Sequence, residues 1–156
     1  MPPVITKRAL IVVKTYPVPS DTGIESSCTA AITDSGEWLR LYPVPWRLLA
    51  EDQRFRKYQW VEVDVTKAVA DARPESYHLI PDGIRIVSER LPTKGHWAAR
   101  KEVVLPMQST SLCHLVRIRD AHNCPTLGIF RPRSITRLMI SPAEPDWSEA
   151  QRLLLR

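Results

Sequence analysis

Cysteine, glycine and long apolar runs are all scarce in this chain. Three cysteines, widely spaced, cannot make a disulfide framework, and an odd count is unremarkable in a reducing compartment. No apolar run is long enough to span a bilayer, and residues 1–14 lack the order of a signal peptide, so no membrane partner is expected and a cytoplasmic location is. Glycine occurs five times against fourteen prolines. Pro17, Pro19, Pro43, Pro45, Pro74, Pro81, Pro92, Pro106, Pro125, Pro132, Pro142 and Pro145 recur at short intervals, which forbids long helices and places the connections in stiff, extended loops. Internal repeats and low-complexity tracts are absent as well.

What is present fits one globular domain spanning 1–156. A chain of 156 residues can bury its own core but cannot comfortably form two domains, and 44% hydrophobic with 25% charged residues is ordinary. The net charge of +5, carried mostly by arginine, favours nucleic acid or another polyanion as partner.

Residues 25–47 (ESSCTAAITDSGEWLRLYPVPWR) are the most informative stretch. They read as two strands joined by Asp34-Ser35-Gly36. On the second strand Leu39 and Leu41 face a core, while Trp38, Arg40 and Tyr42 form an aromatic–arginine–aromatic stripe on the opposite face. Residues 9–14 (ALIVVK) are a buried strand, and 60–67 alternate with Val61, Val63 and Val65 inward. A weaker strand over 84–87 follows a Pro81-Asp82-Gly83 turn, and further short strands are expected at 126–130 and 135–140. Short helices are expected at 46–52, at 93–104 with Thr93 as N-cap, at 109–121, and at the C-terminus over 146–155. Helices inserted among short strands do not fit a doubly wound sheet. The expected class is mainly β with inserted helices (α+β), a small OB-like or PUA/ASCH-like β-barrel.

Cys28-Thr29-Ala30-Ala31-Ile32 followed by Trp38-Leu39-Arg40-Leu41-Tyr42-Pro43 resembles hairpins of the prokaryotic dual OB-containing domain proteins and their relatives. Residues 55–60 (FRKYQW), 73–77 (RPESY) and 126–129 (TLGI) before Arg131-Pro132 extend the resemblance over most of the chain. Ala31 departs from the small glycine of that hairpin, and members of the family continue past the point where this chain ends. The resemblance implies an OB-like barrel, a nucleic-acid ligand and a setting in prokaryotic conflict or mobile-element systems. It implies no reaction.

Candidate binding residues are Lys14, Tyr16, Trp38, Arg40, Tyr42, Arg47, Arg54, Arg56, Lys57, Arg73 and Tyr77. Aromatic faces that stack bases, with guanidinium groups that track phosphates, serve sequence-tolerant single-strand binding. The bland alternative packs Trp38 and Tyr42 beneath residues 43–46 and leaves the arginines solvated. Cys28 shares alternation with Ala30 and Ile32, so it is expected in the core rather than as a nucleophile. Cys113, His114, His122 and Cys124 match no zinc motif, and neither metal nor cofactor is expected. Glu62 and Asp64 share a strand face, as a carboxylate pair in a nuclease would, but so does any acidic outer face. The reading that results is a nucleic-acid-binding barrel, single strands favoured. Two alternatives stand beside it: an enzyme acting on nucleic acid or a nucleotide in a pocket, with Lys14, Tyr16, Glu25, Arg40 and Tyr77 around it, and an interaction subunit that forms a homodimer or larger complex through its C-terminal helix.

Overall fold

The structure, a computed structural model, describes residues 2–17, 27–121, 124–142 and 149–153. Five strands close into a barrel: β1 (Val4–Lys14), β2 (Ser27–Thr33), β3 (Trp38–Val44), β4 (Trp60–Lys67) and β5 (Ser76–Ile86). Their order around the barrel is β1-β2-β3-β5-β4, with β4 returning to β1. All neighbours are antiparallel except β3 and β5, which meet in parallel at Arg40↔Ser76 and Leu41↔Tyr77. This is the five-stranded OB-like barrel of an α+β chain.

Period-two alternation builds the core. Ala9, Ile11, Ala31, Leu39, Leu41, Val61, Val63 and Val65 are buried in one cluster. Ala31 pairs with both Ile11 and Leu39, and Ala9 with Val61, so each strand presents its small or branched residues to the same interior. Phe55, fully buried, joins that cluster from the β3–β4 connection, with Trp46 edge-on against it at 5.0 Å. Fully burying such a ring is worth about 1.5–3 kcal/mol, so this connection is held as firmly as a strand.

Several elements differ from the sequence expectation. β1 starts at Val4, five residues earlier than the apolar run, because outward Thr6 and Arg8 break its hydropathy but not its pairing with Asp64 and Glu62. The Pro81-Asp82-Gly83 turn lies inside β5, where the β4 register slips between Val63 and Val65. A Cβ on Gly83 would come 2.8 Å from that of Asp64, so the irregularity needs glycine. The helix expected over 46–52 is two 3₁₀ turns, Trp46–Leu48 and Glu51–Gln53.

Beyond the barrel, α1 (Lys94–Val104) begins with Gly95, His96 and Trp97 left-handed, and Thr93 makes no side-chain cap. α2 (Leu112–Asp120) starts later than expected, because Ser111 accepts from the His114 backbone N–H and caps it. Of the strand expected at 126–130, only β7 (Ile129–Phe130) forms, in parallel with β6 (Gln108–Ser109). Residues 135–140 form no strand; Ile135, Leu138, Met139 and Ile140 are exposed. Of the expected C-terminal helix, α3 (Glu149–Leu153) is seen, and 146–148 and 154–155 lie outside the described residues. No described helix is long and apolar enough to cross a membrane.

Cys28 lies on the opposite face from the expected one. The core takes Thr29's parity through Ala31, which leaves Cys28 half-buried on the outer side. Ala30 and Ile32 are also buried, so hydropathy along this strand does not distinguish its two faces.

Candidate nucleic-acid interface

Strand register divides the expected binding residues between the two ends of the barrel. One end carries the β2–β3 turn, the start of β1 and the β4–β5 connection, and is called the hairpin end. The other carries the end of β1 and the β3–β4 connection, and is called the basic end.

At the basic end, the ammonium of Lys14 sits 3.1 Å from the ring centroid of Trp46. Burial, and then the positive charge of Lys57, lower the Lys14 pKa from its ordinary value. Arg54 donates from Nε to the Leu49 carbonyl at 3.0 Å and from Nη2 to the Arg47 carbonyl at 3.4 Å, which braces the connection. Arg56 and Lys57 are exposed, and Tyr16 is 82% exposed beside the end of β1. Buried Arg100 of α1 stacks on Tyr58 at 4.1 Å and donates twice to the Leu91 carbonyl, at 3.0 and 2.8 Å. Among the described residues no carboxylate pairs with Lys14, Arg54, Arg56, Lys57 or Arg100.

At the hairpin end the cations are engaged. Arg40, its side chain only 11% exposed, donates from Nη1 to Asp71 Oδ2 at 3.3 Å and to Ser76 Oγ at 3.2 Å, and stacks on Tyr42 at 4.8 Å. Arg73 donates to the same carboxylate from Nε and Nη2, each at 2.7 Å. Arg73, and after it a hydrogen bond from the Ser76 hydroxyl, holds the Asp71 carboxyl well below the usual carboxylate range. Lys67 gives its protons to the carbonyls of Arg73 (3.0 Å), Pro74 (2.6 Å) and Ser76 (3.2 Å) and lies 4.8 Å from the Tyr77 ring. Lys7 flanks the same ring at 5.3 Å.

The expected single face is therefore two groups. Lys14, Tyr16, Arg47, Arg54, Arg56 and Lys57 lie at the basic end, whereas Trp38, Arg40, Arg73 and Tyr77 lie at the hairpin end, with Tyr42 on the outer side of β3 between the two. Asp71 satisfies Arg40, so the stripe on β3 is braced within the chain. Glu62 and Asp64 do share the outer face, but Arg85 binds both, at 3.4 and 3.2 Å, and Thr6 donates to Asp64 at 2.6 Å. That carboxylate pair is already engaged within the chain. Cys113 and Cys124 are exposed, and among the described residues no His, Cys, Asp and Glu side chains gather in a metal-holding group.

Three contributors went unread in the sequence: Trp46 as the platform under Lys14, Arg100 as the brace of Tyr58, and Lys7 beside Tyr77. Lys7 could have been found, because its parity with Ala9 and Ile11 turns it to the inside of the barrel mouth.

Fold and site together define a small OB-like β-barrel domain with a cationic end, where Lys14, Arg56 and Lys57 pair with no carboxylate among the described residues, and a short helical extension. The chain belongs to the DUF8758 family, described as a domain of unknown function, whose model matches residues 5–106, the barrel together with α1. No curated protein and no solved structure matches the chain.

Proposed function

We propose that this domain binds nucleic acid, single strands in preference, through the basic end of the barrel. The observation that carries the reading is the group Lys14, Arg56 and Lys57 at one end of the barrel, none of which pairs with a carboxylate among the described residues. Like charges gathered without counter-charge cost free energy unless an anion offsets them, and a phosphate backbone does so while releasing counterions. Tyr16 and the outer-face Tyr42, 82% and 41% exposed, offer rings on which unpaired bases can stack. The fold adds support by analogy alone, since OB-type barrels often take oligonucleotides across strands 2 and 3 and the adjoining loops. A cytoplasmic setting in prokaryotic conflict or mobile-element systems, taken from the family resemblance, belongs to the same proposal.

The test is binding of labelled single- and double-stranded oligonucleotides at two salt concentrations. Saturable binding that weakens steeply with salt, stronger for the single strand, is the expected result. Absence of binding at low salt would remove the proposal.

A further inference from the structure

A cavity of about 220 Å³ opens at the hairpin end, between the barrel mouth and the chain that follows α2. Lys7, Glu37, Trp38, Glu75, Tyr77 and Pro125 are in its wall. Glu75 is 5% exposed, and its two carboxylate oxygens differ. Oε1 accepts from the Thr126 backbone N–H at 2.7 Å and from Thr126 Oγ1 at 2.8 Å. Oε2 is buried and has no hydrogen-bond partner among the described residues. A buried carboxylate oxygen without a donor carries a desolvation cost that native structures rarely leave standing. A ligand that brings an N–H to Oε2, as the Glu75 carboxylate turns toward the cavity, would remove it.

The rest of the wall narrows the ligand. Tyr77 already has two ammonium groups near its ring, Lys7 at 5.3 Å and Lys67 at 4.8 Å, so an organic cation would enter against like charge. Three backbone carbonyls accept from Lys67. Among the described residues Lys7 pairs with exposed Glu37, at 3.7 Å, and keeps donors to offer an anion. Trp38 supplies an aromatic surface. The cavity is smaller than the roughly 300–1,000 Å³ of pockets that take drug-sized ligands, which suits a single planar ring system better than an extended chain.

We propose that this cavity takes the base of a nucleoside monophosphate. Glu75 Oε2 accepts an amino or imino N–H of the base, Trp38 contacts the ring, and Lys7 meets the phosphate. The site is separate from the basic end and does not depend on strand binding there.

The test is calorimetric titration of the full chain with AMP, GMP, CMP and UMP, and with inorganic phosphate as control. Saturable binding of at least one nucleotide is expected, and Glu75→Gln should weaken it about tenfold or more, because a buried hydrogen bond to the base is lost. The amide oxygen still accepts from Thr126, so the melting temperature should be nearly unchanged. Lys7→Ala, at the mouth, should weaken the nucleotide but leave the matching nucleoside unaffected, which keeps the test decisive if the glutamine variant folds poorly. Three results would overturn the proposal: no saturable binding at millimolar nucleotide, inorganic phosphate binding as well as the nucleotide, or loss of nucleotide binding in Lys57→Glu without loss in Glu75→Gln. Failure of oligonucleotide binding would leave this site standing.

Discussion

At the hairpin end, Arg40, Arg73 and Lys67 each find acceptors within the chain, a shared carboxylate for the two arginines and three backbone carbonyls for the lysine. At the basic end, Lys14, Arg56 and Lys57 have no carboxylate partner among the described residues, and Lys14 leans on an indole while burial, and then the charge of Lys57, lowers its pKa. Charge density alone does not separate these regions. The difference lies in counter-charge: the fold supplies acceptors to the cations at one end, and among the described residues it supplies no carboxylate to Lys14, Arg56 and Lys57 at the other. Cations of the first kind organise a loop, and under the proposed function those of the second kind meet a ligand.

The largest expected consequence is in binding. Lys57→Glu should reduce oligonucleotide affinity about tenfold or more, since it removes one phosphate contact and repels the next. Arg73→Glu, equal in charge change, should cost much less. Fluorescence anisotropy at low salt measures both, and equal losses would erase the distinction between the ends.

Stability should show the opposite ranking. Asp71→Ala strips Arg40 and Arg73 of their shared acceptor and leaves the largely buried Arg40 guanidinium without its counter-ion, held by Ser76 Oγ and the Tyr42 ring, so urea unfolding should report a loss of about 2 kcal/mol. Lys57→Ala should stay within about 0.5 kcal/mol of the parent. A neutral Asp71→Ala would mean that the hairpin-end pairs are ornamental.

The same carboxylate sets an acid response. Because the folded-state pKa of Asp71 is depressed, its contribution is present above the unfolded carboxylate value of about 3.9 and is lost as pH falls below it toward the folded value. Chemical-denaturation stability should therefore decline below that pH, and Asp71→Asn should flatten the decline. Smallest of all, Lys57→Gln should raise the Lys14 pKa part of the way back, since burial, the larger cause, remains. An NMR titration of the Lys14 side chain reads this shift; no change would mean that the two lysines do not sense each other.

Much of the barrel was legible in the sequence, for a physical reason. A strand with one buried face must alternate, and β3 and β4 do so where expected, with Leu39, Leu41, Val61, Val63 and Val65 all fully buried; β2 is buried on both faces, which hid the side that Cys28 takes. β5 was obscured because Pro81-Asp82-Gly83, a turn by composition, is accommodated inside the strand by a register slip against β4. The left-handed run at Gly95, His96 and Trp97 is only weakly signalled locally: glycine and, less often, histidine adopt that conformation, but a bulky tryptophan rarely does. The basic end was legible because most of its cations are close in sequence, in the connection between β3 and β4. The hairpin end was not, because its partners are distant: Arg40 and Asp71 are 31 residues apart, and Glu75 and Thr126 are 51 apart. Only the fold brings them together, and only the fold shows that Arg40 already has a counter-ion.

The account rests on the basic end acting as a polyanion surface, and the salt dependence of binding tests that most directly. The slope of log Kobs against log[salt] should be measured for a single-stranded oligonucleotide with the parent chain and with a Lys14→Gln, Lys57→Gln double variant. Two lost phosphate contacts should make the slope shallower by about 1.4, while Arg73→Gln should leave it unchanged. An unaltered slope in the double variant, or the larger change in Arg73→Gln, would contradict the assignment of the basic end.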